Sequence, residues 1–105
     1  MIKLFRKTRE LMFSELALAR SQNGKHFHST HEAYGVIVEE KTEAWDECID
    51  VDHAVDKLLG AIRRNDKADV HLAAKDIERH ALLAACEYIQ VAAMARKLRD
   101  SERAM

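Results

Sequence analysis

Residues 38–47 read Val38-Glu39-Glu40-Lys41-Thr42-Glu43-Ala44-Trp45-Asp46-Glu47, and five of these ten are acidic in a chain whose formal net charge is only −1. At about 100° per residue on a helix, Glu39, Glu40, Glu43 and Glu47 fall within an arc of roughly 100°. Like charges at such spacings cost a helix about 0.2–0.5 kcal/mol per pair. A hard divalent cation, which takes carboxylate oxygens, would offset that cost. A solvated acidic face is the other reading of the same pattern.

The composition around this stretch decides the fold class. The chain has 105 residues, no proline and three glycines, Gly24, Gly35 and Gly60. Hydrophobic residues make up 48% and charged residues 33%, which is globular rather than disordered. Helix formers dominate and little punctuates them, so a single all-α domain over residues 1–105 is expected. Its form is a compact bundle of about four helices, completed by oligomerisation because long helices in a short chain leave apolar surface uncovered.

Working outward, Leu4, Phe5, Leu11, Met12, Leu16, Leu18 and Ala19 recur at helical spacing, and Asn23-Gly24 supplies a stop, giving an N-terminal helix within 1–23. Ser29 with Glu32 fits a capping box, so the acidic-motif helix starts near Thr30. Its apolar stripe is expected to be Tyr34, Ile37, Val38, Trp45, Cys48 and Ile49, with the glutamates on the opposite side and Trp45 as a core anchor. A break near Ile49–Asp52 leads to a short helix through Val55, Leu58, Leu59 and Ile62, completing the segment 30–65. Asn65-Asp66 reads as a turn, followed by a long helix over 67–100.

Within that last helix, Ala81-Leu-Leu-Ala-Ala-Cys-Glu-Tyr-Ile-Gln-Val-Ala-Ala-Met-Ala95 is apolar all round except for Glu87, Gln90 and the Tyr88 hydroxyl. A helix without a polar face is usually buried, and a buried carboxylate needs a partner. Glu87 and Gln90, three apart, point the same way. They read as metal ligands or as a hydrogen-bonded pair.

Together these two stretches resemble the MazG-like all-α nucleoside triphosphate pyrophosphohydrolases. Glu39-Glu40-Lys41-Thr42-Glu43 matches their E-E-x-x-E motif. The run from His31 to Glu47 is similar to the version in small phage and prophage members, and Glu87–Ala95 resembles their second motif. The likeness covers about residues 30–99. It implies cleavage of a (d)NTP to the monophosphate and pyrophosphate with Mg²⁺, or Mn²⁺ in its place. It also implies Glu39, Glu40, Glu43 and Glu87 as metal ligands, and Glu40 and Glu43 as the catalytic pair. Glu47 lies outside the motif and is a weaker candidate. Arg96 and Lys97, with Gln90, are candidates for substrate contact, and a homodimer or homotetramer is implied. The family's second motif usually reads E-x-x-D. Here Gln90 replaces the acid, and a neutral amide oxygen is the weaker ligand for Mg²⁺. A helical scaffold or regulatory protein that retains the fold without the activity is therefore the second reading.

Other features point elsewhere only faintly. His28-x-x-His31 has a zinc-like spacing but no further close ligand. Asp50-x-x-His53 lacks the paired Glu-x-x-His motifs of di-iron bundles. Cys48 and Cys86 sit in apolar helical patterns and read as reduced core thiols. The near-neutral charge gives no reason to bind a nucleic acid polymer, and no run of about 20 apolar residues spans a membrane. A cytoplasmic location is expected.

Overall fold

A computed structural model describes residues 1–104, which form three α-helices and, among the described residues, no strand. These are α1 (Ile2–Asn23), α2 (Thr30–Arg63) and α3 (Lys67–Glu102). The all-α expectation holds, but the helix count is three and not about four. The expected break near Ile49–Asp52 is absent because that stretch has no proline or glycine. Its modest helix formers cost only tenths of a kcal/mol, roughly, per residue.

The helix ends obey their local chemistry. Gly24, at φ 89°, takes the positive-φ position after α1, and its N–H donates to the Arg20 carbonyl. Ser29 Oγ accepts the Glu32 N–H at 3.1 Å, while the Glu32 carboxylate reaches back to accept the His28 N–H at 3.2 Å. This is a capping box displaced by one residue, and it starts α2 at Thr30. At the other end Asn65 adopts φ 56°; its N–H donates to the Ile62 carbonyl and the Asp66 N–H to the Ala61 carbonyl, the Schellman pattern. Asp66 Oδ1 then accepts the Asp69 N–H at 3.0 Å and caps α3. That backbone donor is the main reason the Asp66 carboxyl lies below its ordinary value, against the opposing effect of partial burial.

The chain divides into two compact units, Met1–Lys41 with Glu87–Met105, and Thr42–Cys86. The first has a mixed core. Leu16 of α1, Phe27 of the connecting loop, Ala33 of α2, and Ala93 and Met94 of α3 are buried together. Met12, Ala19, Val36, Ile37 and Leu98 pack against them. Phe27 is pinned from α3: its N–H donates to Ser101 Oγ at 2.9 Å, and that hydroxyl donates to the Lys97 carbonyl at 2.7 Å. Arg20 meets Asp100 at 2.6 Å, tying α1 to α3.

In the second unit the buried hydrophobic residues are all alanines: Ala44, Ala54, Ala61, Ala73 and Ala84. Small residues let two helices approach at the low end of the usual 8–10 Å, roughly, between axes. Among the buried and half-buried positions of α2, Ala44, Glu47, Val51, Ala54, Leu58 and Ala61 recur at alternating steps of three and four, with Cys48, Asp50 and Gly60 half-buried beside them. Among those of α3, Val70, Ala73, Ile77, His80 and Ala84 recur with the same alternation. This is the a/d seam of a heptad pattern.

The stripe expected from bulky residues is largely on the outside. Ile37 packs inward, but Tyr34 is 71% and Trp45 58% exposed, and Val38 and Ile49 are exposed as well. Trp45 is thus not a core anchor in this chain. Cys48 is half-buried and Cys86 exposed, so Cys86 is a free surface thiol and not a core residue. None of the described helices is long and apolar enough to cross a membrane.

Candidate metal centre

Heptad geometry places acids where the bulky-residue stripe did not. On α2 the half-buried series continues backward from Ala44 through Glu40 and Ile37 to Ala33, so Glu40 occupies an inward seam position. On α3 the series continues Glu87, Val91, Met94, Leu98, Ser101. The expectation that the α2 glutamates all lie opposite the packed side is therefore corrected: Glu40 and Glu47 are half-buried on it, while Glu39 and Glu43 are exposed; Glu87 of α3 is half-buried, on the inward side expected for it.

Within the first unit, Glu40 and Glu87 each bring a carboxylate oxygen within 4.8 Å of the other. Glu43 follows Glu40 by three residues on the same helix and is exposed. Glu39 is not in this group. Oxygens so spaced, supplied by carboxylates, are the donor set that hard cations such as Mg²⁺ and Mn²⁺ take.

The three residues considered for substrate contact are engaged inside the first unit. The Gln90 amide donates to Glu15 Oε2 of α1 at 2.8 Å. Arg96 pairs with Asp100 at 3.3 Å and lies over the Phe13 ring, 5.4 Å from its centre. Lys97 is 3% exposed, its ammonium 4.4 Å above the centre of the Phe27 ring. Two arginines, Arg9 and Arg96, flank the same Phe13 ring. Asp100 carries a carboxyl held below its ordinary value, first by the Arg20 hydrogen bond and then by the Arg96 charge, with partial burial opposing them.

A second cluster lies wholly in the other unit: Glu47, Asp50 and His80. His80 Nδ1 is 2.9 Å from Glu47 Oε2 and 3.7 Å from Asp50 Oδ2. Sequence reasoning did not single out His80, because a lone histidine in a helix has no local signature. Its place in the three-four alternation, between Ile77 and Ala84, is the signal that could have found it.

Compared with known proteins, the chain matches no family model, and no curated protein or solved structure matches it either.

Proposed function

We propose that the protein is a Mg²⁺-dependent nucleotide pyrophosphohydrolase, converting a (d)NTP to the (d)NMP and pyrophosphate. The observation that carries this reading is the approach of Glu40 and Glu87, two half-buried carboxylates of the first unit, within 4.8 Å. The resemblance of residues 39–43 and 87–95 to the MazG-like motifs points the same way. By that resemblance Glu39, Glu40, Glu43 and Glu87 would hold the cation. When bound, Mg²⁺ would neutralise the triphosphate charge and acidify a water.

The chain's own part is to orient and deprotonate. Glu40 or Glu43 accepts the proton of the attacking water as its oxygen bonds to the α-phosphorus. The bond from that phosphorus to the bridging oxygen breaks, and pyrophosphate leaves with the electron pair. The second unit buries only alanines, and Val55, Leu59, Ile62 and Leu72 remain exposed on it. A second copy of the chain covering them, in a homodimer or homotetramer, is part of the proposal.

A specific observation favours the alternative, a scaffold that retains the helices without the activity: Gln90, Arg96 and Lys97 are all used in packing. Pyrophosphate release from a panel of NTPs and dNTPs, with Mg²⁺ or Mn²⁺, separates the two. No release from any substrate would sink the enzyme.

A further inference from the structure

We infer that Glu47, Asp50 and His80 form a second metal site, for a first-row divalent transition ion such as Zn²⁺, within the unit Thr42–Cys86. Glu47 and Asp50 stand three residues apart on α2, so both carboxylates project from one face. His80 of α3 answers them with a nitrogen. One carboxylate would satisfy the single N–H that Nδ1 can carry, and Glu47 does so at 2.9 Å. Asp50 Oδ2 lies 3.7 Å from the same nitrogen, beyond hydrogen-bond reach.

Both oxygens lie within ion-pair reach of one imidazole nitrogen, and two carboxylates with an imidazole are also a donor set that a divalent transition ion takes. Around tetrahedral zinc, with bonds of about 2.0–2.2 Å, neighbouring donor atoms stand about 3.4 Å apart. The observed 2.9 and 3.7 Å bracket that separation. Exchange of the Nδ1 proton for the metal would draw these three donors, which lie within 4.8 Å of one another, around one ion. Imidazole also selects transition ions over Mg²⁺ and Ca²⁺, which separates this site chemically from the all-carboxylate group. Three protein donors would leave a fourth position for water, and the Asp50 side chain is 47% exposed. Bound metal would cross-link α2 to α3 where only alanines are otherwise buried.

The test uses the full chain with His28→Ala and His31→Ala, which removes the histidine pair whose spacing resembles a zinc site. Zn²⁺ alone is titrated by calorimetry, with Co²⁺ absorption and thermal unfolding as parallel readouts. One equivalent should bind, raise the unfolding midpoint and give tetrahedral Co²⁺ bands. His80→Gln and Glu47→Gln should weaken it at least about a hundredfold, Asp50→Asn about tenfold or more. Unchanged helicity of the metal-free variants confirms that they fold. Glu87→Gln should leave Zn²⁺ affinity unaltered while testing the nucleotide reading separately. Absence of a stoichiometric site, or equal affinity in the His80 and Glu47 variants, overturns the inference.

Discussion

The Gln90 amide donates to the Glu15 carboxylate at 2.8 Å, joining α3 to α1. A neutral donor is what this position requires, because an aspartate there would present a second negative charge to Glu15. Gln90→Asp should therefore destabilise the fold by about 2 kcal/mol, the worth of a hydrogen bond to a charged group. Adding Glu15→Gln should recover most of the loss. Urea unfolding of the two variants checks this; a Gln90→Asp protein as stable as the parent would show that the pair contributes nothing.

Ser101 is fully buried and serves two partners at once, the Phe27 N–H and the Lys97 carbonyl. Ser101→Ala leaves a buried N–H without its acceptor and should cost about 1–3 kcal/mol. Since Phe27 belongs to the loop, its amide hydrogen should also exchange faster. Slow exchange persisting in the variant would contradict the assignment.

Asp100 titrates below its ordinary value of 3.8 because Arg20 and Arg96 favour the charged form. A carboxyl depressed in the folded state stabilises it above the unfolded-state value, and that stability is lost as pH falls through the folded-state value. The stability gap between the parent and Asp100→Asn should thus be full at neutral pH and close progressively below about pH 4. A gap independent of pH would mean that the ion pairs do not cause it.

For the nucleotide reaction, Glu87→Gln should lower turnover roughly a hundredfold or more by removing a ligand. Glu40→Gln should do so by about 10²–10⁴-fold if it also accepts the proton. Raising Mg²⁺ should partly rescue Glu87→Gln but not a lost base. Wild-type rates in either variant would remove the acidic group from the chemistry.

Leu59, exposed on the outer side of α2, tests the second copy. Sedimentation should show a dimer or tetramer in the parent and a smaller species in Leu59→Glu. A monomeric parent at all concentrations would end that part of the proposal.

Capping chemistry was written in the chain, although the expected break near Ile49–Asp52 was not there. Asn23-Gly24, Ser29 with Glu32, and Asn65-Asp66 marked the helix ends to within a residue, because caps and positive-φ turns depend on neighbours only. The inward face was not. Bulky residues suggested a stripe through Tyr34, Val38 and Trp45, whereas the packed seam runs through Ala33, Ala44, Ala54 and Ala61. Alanine carries too small a hydropathy signal to outvote tryptophan, yet it is what close helix approach demands.

Sequence by itself thus determined the all-helical class and the three capped boundaries. Tertiary structure decided which acids face inward, bringing Glu40 to Glu87 and Glu47 to His80. It also gave Gln90 and Lys97 to the packing of α1 and the Phe27 loop. The reason is physical: helix caps are set by hydrogen bonds among adjacent residues, whereas a seam is set by how closely two distant helices can approach.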